Sequence, residues 1–244
     1  MEAGYVFYAA LLIIAFLYAS VGHGGASGYL ALMALYSFSP LVMRPTALVL
    51  NLFVAGIAFI HYYRNGYFKW RLFLPFAAAS VPASFLGGLI TLDEHIYRQV
   101  LGVLLLFAVL RMLIRMKHGE KVVKEINRPL AFAIGGIIGL LSGMIGIGGG
   151  IILSPVLLLL QWAGMKRTAA VSALFILVNS MAGLCGQLIN GVDFYPEMWL
   201  MVTVAFAGGF VGSYIGARHT PPHFLRILLA MVLLVASFKL IFAL

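Results

Sequence analysis

Two clusters of glycine and serine carry the chemistry this chain has to offer: Ser20-Val-Gly-His-Gly-Gly-Ala-Ser-Gly28 and Ser142-Gly-Met-Ile-Gly-Ile-Gly-Gly-Gly150. Each interrupts a long apolar run and opens a shorter one. A helix that starts at such a break presents N–H groups with no helical acceptor, and its dipole places partial positive charge there. Glycine lets the backbone approach a ligand and adopt positive φ. A helix start of this kind holds an anion without a buried lysine. The candidate binding residues are therefore Gly22, His23, Gly24, Gly25 and Ser27 in the first cluster, and Gly146, Gly148, Gly149 and Gly150 in the second. Asn51, Ser172 and Asn179 join them, because polar groups deep in apolar segments either bond neighbouring helices or line a pathway. Ser172 and Asn179 are seven residues apart, about two helical turns, so one face can carry both. Ser20 and Ser142 flank the breaks with hydroxyls that can donate to an oxyanion.

His23 is the one ionisable residue inside a break, and Ile147 stands at the matching place in the second cluster. Protonated, it can bind an anion or carry a coupled proton; neutral, it can satisfy hairpin backbone. With Ser20 or Ser27 it also offers the serine–histidine pair of an intramembrane hydrolase. Against that, the second cluster has no histidine and no orienting acid is near either one. No catalytic residue is assigned, and the expectation is not an enzyme. The one acid in an apolar segment is Glu197, at the very edge of 196–217, so carboxylate relays, cation sites and metal sites are not expected, nor is a cofactor. The single Cys185 excludes an internal disulfide.

The elements that must place these residues are apolar. The 244 residues are 63% hydrophobic and 9% charged, where a soluble domain carries about 25% charged residues. Apolar segments run at roughly 4–21, 25–38, 43–63, 70–91, 96–114, 130–146, 149–163, 168–189, 196–217 and 223–243. Pro45, Pro129, Pro196 and Pro221 or Pro222 read as first-turn prolines. The segments after the breaks hold 14 or 15 residues, about 21–23 Å of helix against a hydrocarbon core of about 30 Å. No positive n-region precedes the first segment, so it is expected to stay as a span. The fold class is an all-α polytopic membrane protein. Non-helical backbone at membrane depth survives only buried in protein or lining a wet cavity.

The chain repeats itself. Val21-Gly-His-Gly-Gly matches Ile145-Gly-Ile-Gly-Gly, Arg44-Pro-Thr46 matches Lys166-Arg-Thr168, Asn65-Gly66 matches Asn190-Gly191, and Gly87 matches Gly212. One unit of about five segments therefore occurs twice: a first repeat at 1–116, a cytoplasmic loop at 117–128 and a second repeat at 129–244. If the segments alternate direction, or if each Gly-broken first pair is a re-entrant hairpin, one side collects 13 of the 16 basic residues. Arg44, Arg98 and Lys239 stay on the other side. Fusing each broken pair into one span reduces the split to 10 against 6. The first arrangement makes the repeats inverted and puts both termini outside the cytoplasm. The +9 formal charge follows from that rule; no aromatic-basic surface for a nucleic acid is present. Glycines 87, 88, 135, 136, 139, 208, 209, 212 and 216 read as close helix packing. Trp70, Trp162 and Trp199 read as interfacial anchors.

The second break and the residues after it, Ser142-Gly-Met-Ile-Gly-Ile-Gly-Gly-Gly-Ile-Ile-Leu-Ser-Pro155 and then Lys166-Arg-Thr-Ala-Ala-Val-Ser172, resemble the TauE/SafE sulfite exporter family. Arg44-Pro-Thr-Ala-Leu-Val-Leu-Asn51 and Asn65-Gly-Tyr-Phe-Lys-Trp70 resemble the corresponding parts of its first repeat. The resemblance implies an integral membrane permease for sulfite or another small organosulfur anion, often moved outward across the bacterial cytoplasmic membrane. The sequence reading is thus a secondary transporter with paired Gly-rich helix starts, the bilayer and a small sulfur anion as partners. Coupling is left open between a proton through His23 and facilitated flow. An anion channel and the serine–histidine hydrolase are the alternatives; the sequence is silent on oligomeric state.

Overall fold

The computed structural model describes residues 2–113, 124–192, 194–218 and 223–242. Among them lie α1 (Glu2–Ala19), α2 (Ala26–Leu35), α3 (Pro40–Arg64), α4 (Trp70–Leu89), α5 (Glu94–Leu113), α6 (Arg128–Ile145), α7 (Gly150–Leu159), α8 (Met165–Ile189), α9 (Met198–Arg218) and α10 (His223–Phe242). The described residues form no strand. Of these helices, α3, α4, α6, α8 and α9 are each long and apolar enough to cross a membrane. The chain is an all-helical, multi-pass membrane protein.

Several details differ from the sequence reading. The segments after the breaks shorten to 10 residues each, about 15 Å, which is half a hydrocarbon core. Pro40, not Pro45, takes the first helical position of α3, so Pro45 and the neighbouring Arg44 lie inside the helix. Trp162 is buried against Phe76, with ring centroids 6.0 Å apart, whereas Trp70 and Trp199 are exposed as anchors should be. Residues 117–123 of the expected loop, and Pro221 and Pro222, lie outside the described residues.

We call the end where α3 starts the upper end and the end where it finishes the lower. At the upper end, the Arg44 guanidinium donates to Ile90 O just past α4 (3.0 Å) and the Asn190 amide donates to Leu89 O (2.8 Å). There too the Lys239 ammonium donates to Leu35 O, the last residue of α2 (2.9 Å). At the lower end, Lys166 at the start of α8 donates to Gly216 O near the finish of α9. There the Lys124 N–H, ahead of α6, donates to Gln161 O just past α7 (2.8 Å). From their breaks, α2 thus climbs to the upper end and α7 descends to the lower.

Glycine fixes two backbone-to-backbone seams. Gly208, Gly212 and Gly216 of α9 lie on the backbone of Leu12, Phe16 and Ser20 in or next to α1. Gly135, Gly139 and Gly143 of α6 lie on Phe76, Ser80 and Ser84 of α4. Any Cβ there would enter the facing backbone. Gly87 and Gly88 are equally close to neighbouring backbone and Gly209 lies against the Val54 side chain, so the packing role expected of these glycines holds. Gly136 departs from it: its nearest neighbour, Ala79 Cβ, would be at an ordinary 3.8 Å.

The long helices α3 and α8 pack together at the centre, and their bounds set a register. Their starts differ by 165 − 40 = 125 and their ends by 189 − 64 = 125. The positive-φ residues Gly22, Gly25, Ser37 and Gly66 reappear as Gly146, Gly149, Gln161 and Gly191, at offsets of 124, 124, 124 and 125. Packing agrees. Gly22 sits on Ala169, and Gly146 sits on Arg44. The Tyr62 hydroxyl donates to Ser20 O (2.8 Å), and the Gln187 amide donates to Gly143 O (3.3 Å). The sequence match of Arg44 with Lys166, at offset 122, is therefore displaced by almost one helical turn: Ala169 occupies the place of Arg44.

Candidate functional site

Each break packs against the long helix of the opposite half, and the two breaks meet at the middle of α3 and α8. A Cβ on Gly24 would strike the Asn51 Oδ1 and stand 2.9 Å from Ile176 Cγ2. A Cβ on Gly148 would stand 2.6 Å from Asn51 Nδ2, 2.8 Å from Ile176 Cγ2 and 3.0 Å from Ser180 Oγ. One asparagine thus touches both breaks. Its Nδ2 donates to Ser180 Oγ (3.2 Å), while its Oδ1 is buried with no hydrogen-bond partner. At the 125-residue register Ile176 is the counterpart of Asn51, so one half lines the centre with an amide and the other with a branched alkyl group.

The helix starts have the geometry glycine was expected to provide. Gly25 and Gly149 cap α2 and α7 in the left-handed region, at φ 99° and 77°. The first N–H of α2 to reach a helical carbonyl is that of Tyr29, on Gly25 O (3.0 Å). In α7, Ile152 and Leu153 both turn their N–H groups to Gly149 O (3.1 Å). The preceding N–H groups, of Ala26, Ser27 and Gly28 and of Gly150 and Ile151, are those every helix start leaves without a helical acceptor. All of these residues are buried. The Tyr29 hydroxyl, folded back over Gly25, and the Ser142 hydroxyl, beside Gly149, are buried without partners.

His23 enters a different group. Its Nδ1 faces Val21 O (3.1 Å) and its Nε2 faces Ser154 Oγ (3.0 Å), which in turn lies 2.8 Å from Ser172 Oγ. A carbonyl beside Nδ1 requires the proton there, so Nε2 accepts from Ser154 in the neutral ring. The first break, α7 and α8 are thereby tied into one chain of hydrogen bonds. Ser154 is a residue that sequence reasoning missed; its only sequence signal is its place beside Pro155 in the motif that carries the family resemblance.

Other candidates turn elsewhere. The Ser27 hydroxyl donates to Tyr18 Oη (2.7 Å) and the Ser20 hydroxyl to Leu17 O (2.7 Å), so the serine that meets His23 is neither of the two first paired with it. The Asn179 amide donates to Phe175 O in its own helix (2.8 Å), and its backbone carbonyl accepts from Ser84 (2.7 Å). Ser172 and Asn179, expected on one pathway, contact different neighbours. Arg44 is the other residue missed: sequence put it at the edge of the segment 43–63, and the structure buries it at 7% exposure against the second break.

A multi-pass bundle whose centre holds two buried helix starts is the architecture of a membrane permease. The chain belongs to the TauE/SafE sulfite exporter family, whose family model matches residues 7–240. It is 41% identical to a probable membrane transporter protein of Sinorhizobium fredii, over 95% of this chain and 96% of that one. Similar proteins with the same description occur in Methanocaldococcus jannaschii, at 27% identity over 75% of this chain and 74% of the relative, and in Bacillus subtilis, at 23% over 73% and 71%. No solved structure matches. The protein is a membrane transporter.

Proposed function

We propose that the protein is a secondary carrier for sulfite or a small organosulfur anion, moving it outward across the bacterial cytoplasmic membrane. The observation that carries this reading is the convergence of Gly24 and Gly148 on Asn51, which points two half-helix N-termini at one buried place. Partial positive charge from both helices, with amide and hydroxyl donors, replaces the hydration shell of an anion. In this conformation the contacts around Asn51 are closed, so the solute enters when the halves rock apart. The repeats are inverted, with boundaries at 1–116 and 129–244. In support, α2 opens toward Lys239, a cation of the sparse side, while α7 opens toward Lys124, a cation of the rich side. On this reading the lower end is the cytoplasmic one. An inside-negative potential then drives anion exit by about 2.3 kcal/mol per charge per 100 mV. His23 carries the coupled proton if there is one, through Ser154 and Ser172.

Purified protein in proteoliposomes loaded with sulfite or sulfoacetate tests the reading. Saturable efflux with counterflow is expected. Flux that rises linearly without counterflow indicates a channel, and no flux of any sulfur anion overturns the proposal. His23→Gln tests coupling: if His23 carries the proton, the variant loses the pH dependence of flux over about pH 5–8, the range in which histidine titrates.

A further inference from the structure

Arg44 lies in the second turn of α3, 93% removed from solvent. Its Nη2 donates to Ile90 O, its guanidinium carbon lies 6.0 Å from the centroid of the Tyr97 ring, and its Nε–H is buried with no acceptor. Among the described residues the one ion pair joins Arg98 and Glu94, so no carboxylate answers this charge. Such a cation is costly to bury, and within a membrane protein it marks a functional site by default. Two contacts tie it to the second break. The Tyr97 hydroxyl donates to Ile145 O (3.1 Å), and Arg44 O lies 3.0 Å from where a Cβ on Gly146 would stand.

Capping α4 explains the bond to Ile90 but not the arginine, because one lysine N–H would serve. A guanidinium adds a planar pair of donors, Nε–H beside Nη–H, that matches two oxygens of one oxyanion. The packing counterpart of Arg44 is Ala169, so this donor pair exists at the upper turn alone. At the lower turn the nearby cation is Lys166, a point charge set on Gly216 O. We propose that Arg44 forms a second anion subsite at the upper mouth of the second break, taking the SO3 group shared by sulfite and organosulfonates through its Nε–H and Nη–H. The proposal rests on the anion-carrier reading and refines it: the centre binds charge through helix ends, and Arg44 selects oxygen geometry at the upper mouth.

Full-length Arg44→Lys and Arg44→Gln proteins, each of which keeps a donor for Ile90 O, are compared with wild type in proteoliposomes and by thermal unfolding with and without sulfite, methanesulfonate and chloride. The lysine variant is expected to raise the KM for sulfite and methanesulfonate by about tenfold or more, since bidentate recognition is lost. Its maximal rate should change much less, and sulfite should raise its melting temperature by less than it does for wild type. A KM unchanged in both variants, with only a lower melting temperature, reduces Arg44 to a helix cap and overturns the subsite while transport stands. Wild type that shows no flux, yet is stabilised by sulfite in a way both variants lose, overturns transport and supports the subsite.

Discussion

Asn51 is the residue on which both breaks rest, and its replacement separates binding from packing. Asn51→Leu gives the centre the alkyl character that Ile176 already supplies from the other half. The bundle should fold, since leucine keeps the branched shape of the asparagine side chain and removes a buried oxygen that has no partner. Sulfite flux in proteoliposomes should fall by about tenfold or more, the scale of one lost hydrogen bond to a charged group. Ser154→Ala acts on another contact. It removes the buried hydroxyl that faces His23 Nε2, at a cost of about 1–3 kcal/mol, read as a lower melting temperature in detergent. Asn51 was legible in the sequence because an amide in the middle of a 25-residue apolar helix stands out. Ser154 and Arg44 were not. Serine is common in membrane helices, and arginine near a proline reads as the end of a span until the first helical residue is located.

At the scale of elements, the glycine seams separate α1 from α9 and α6 from α4 by little more than backbone contact. Gly212→Val and Gly139→Val should each abolish folded protein, because the added atoms have only facing main chain to displace. Gly164→Ala is the matched control. It has open space around it and an ordinary φ of −79°, so size-exclusion profiles should match wild type. At Gly148 the added methyl meets Asn51 while φ stays at +70°, so Gly148→Ala combines strain with obstruction. The starts of α2 and α7 were visible as paired glycine clusters. Their true length was not, because Leu35-Tyr36 and Leu159-Leu160 are as apolar as the helices they terminate. What stops each helix is a turn through a positive-φ residue, Ser37 or Gln161, neither of a type that announces such a turn.

At the scale of the molecule, the proposed inversion makes a prediction about sides. In a Cys185→Ala background, single cysteines at Ser39 and Asn190 lie at the upper end, and those at Asn65 and Gly164 at the lower; all four positions are exposed. An impermeant maleimide applied to intact cells should label the first pair, and the second only after permeabilisation. Labelling of one position from each pair on intact cells would remove the shared axis on which the paired helix starts depend.

Sequence by itself determined the all-helical membrane architecture, the ten apolar segments and the duplicated glycine breaks. Hydropathy, helix length and the conformational freedom of glycine are local properties, written residue by residue. Only the tertiary structure decided which groups meet. The crossing of α3 and α8 puts Asn51 between Gly24 and Gly148. The docking of α7 brings Ser154 to His23, and the 125-residue register gives Arg44 an alanine for its counterpart. Those juxtapositions join residues as many as 131 positions apart, or shift a match by almost one helical turn, and neither is set by the order of amino acids along one segment. They are set by which backbones the small residues allow to touch.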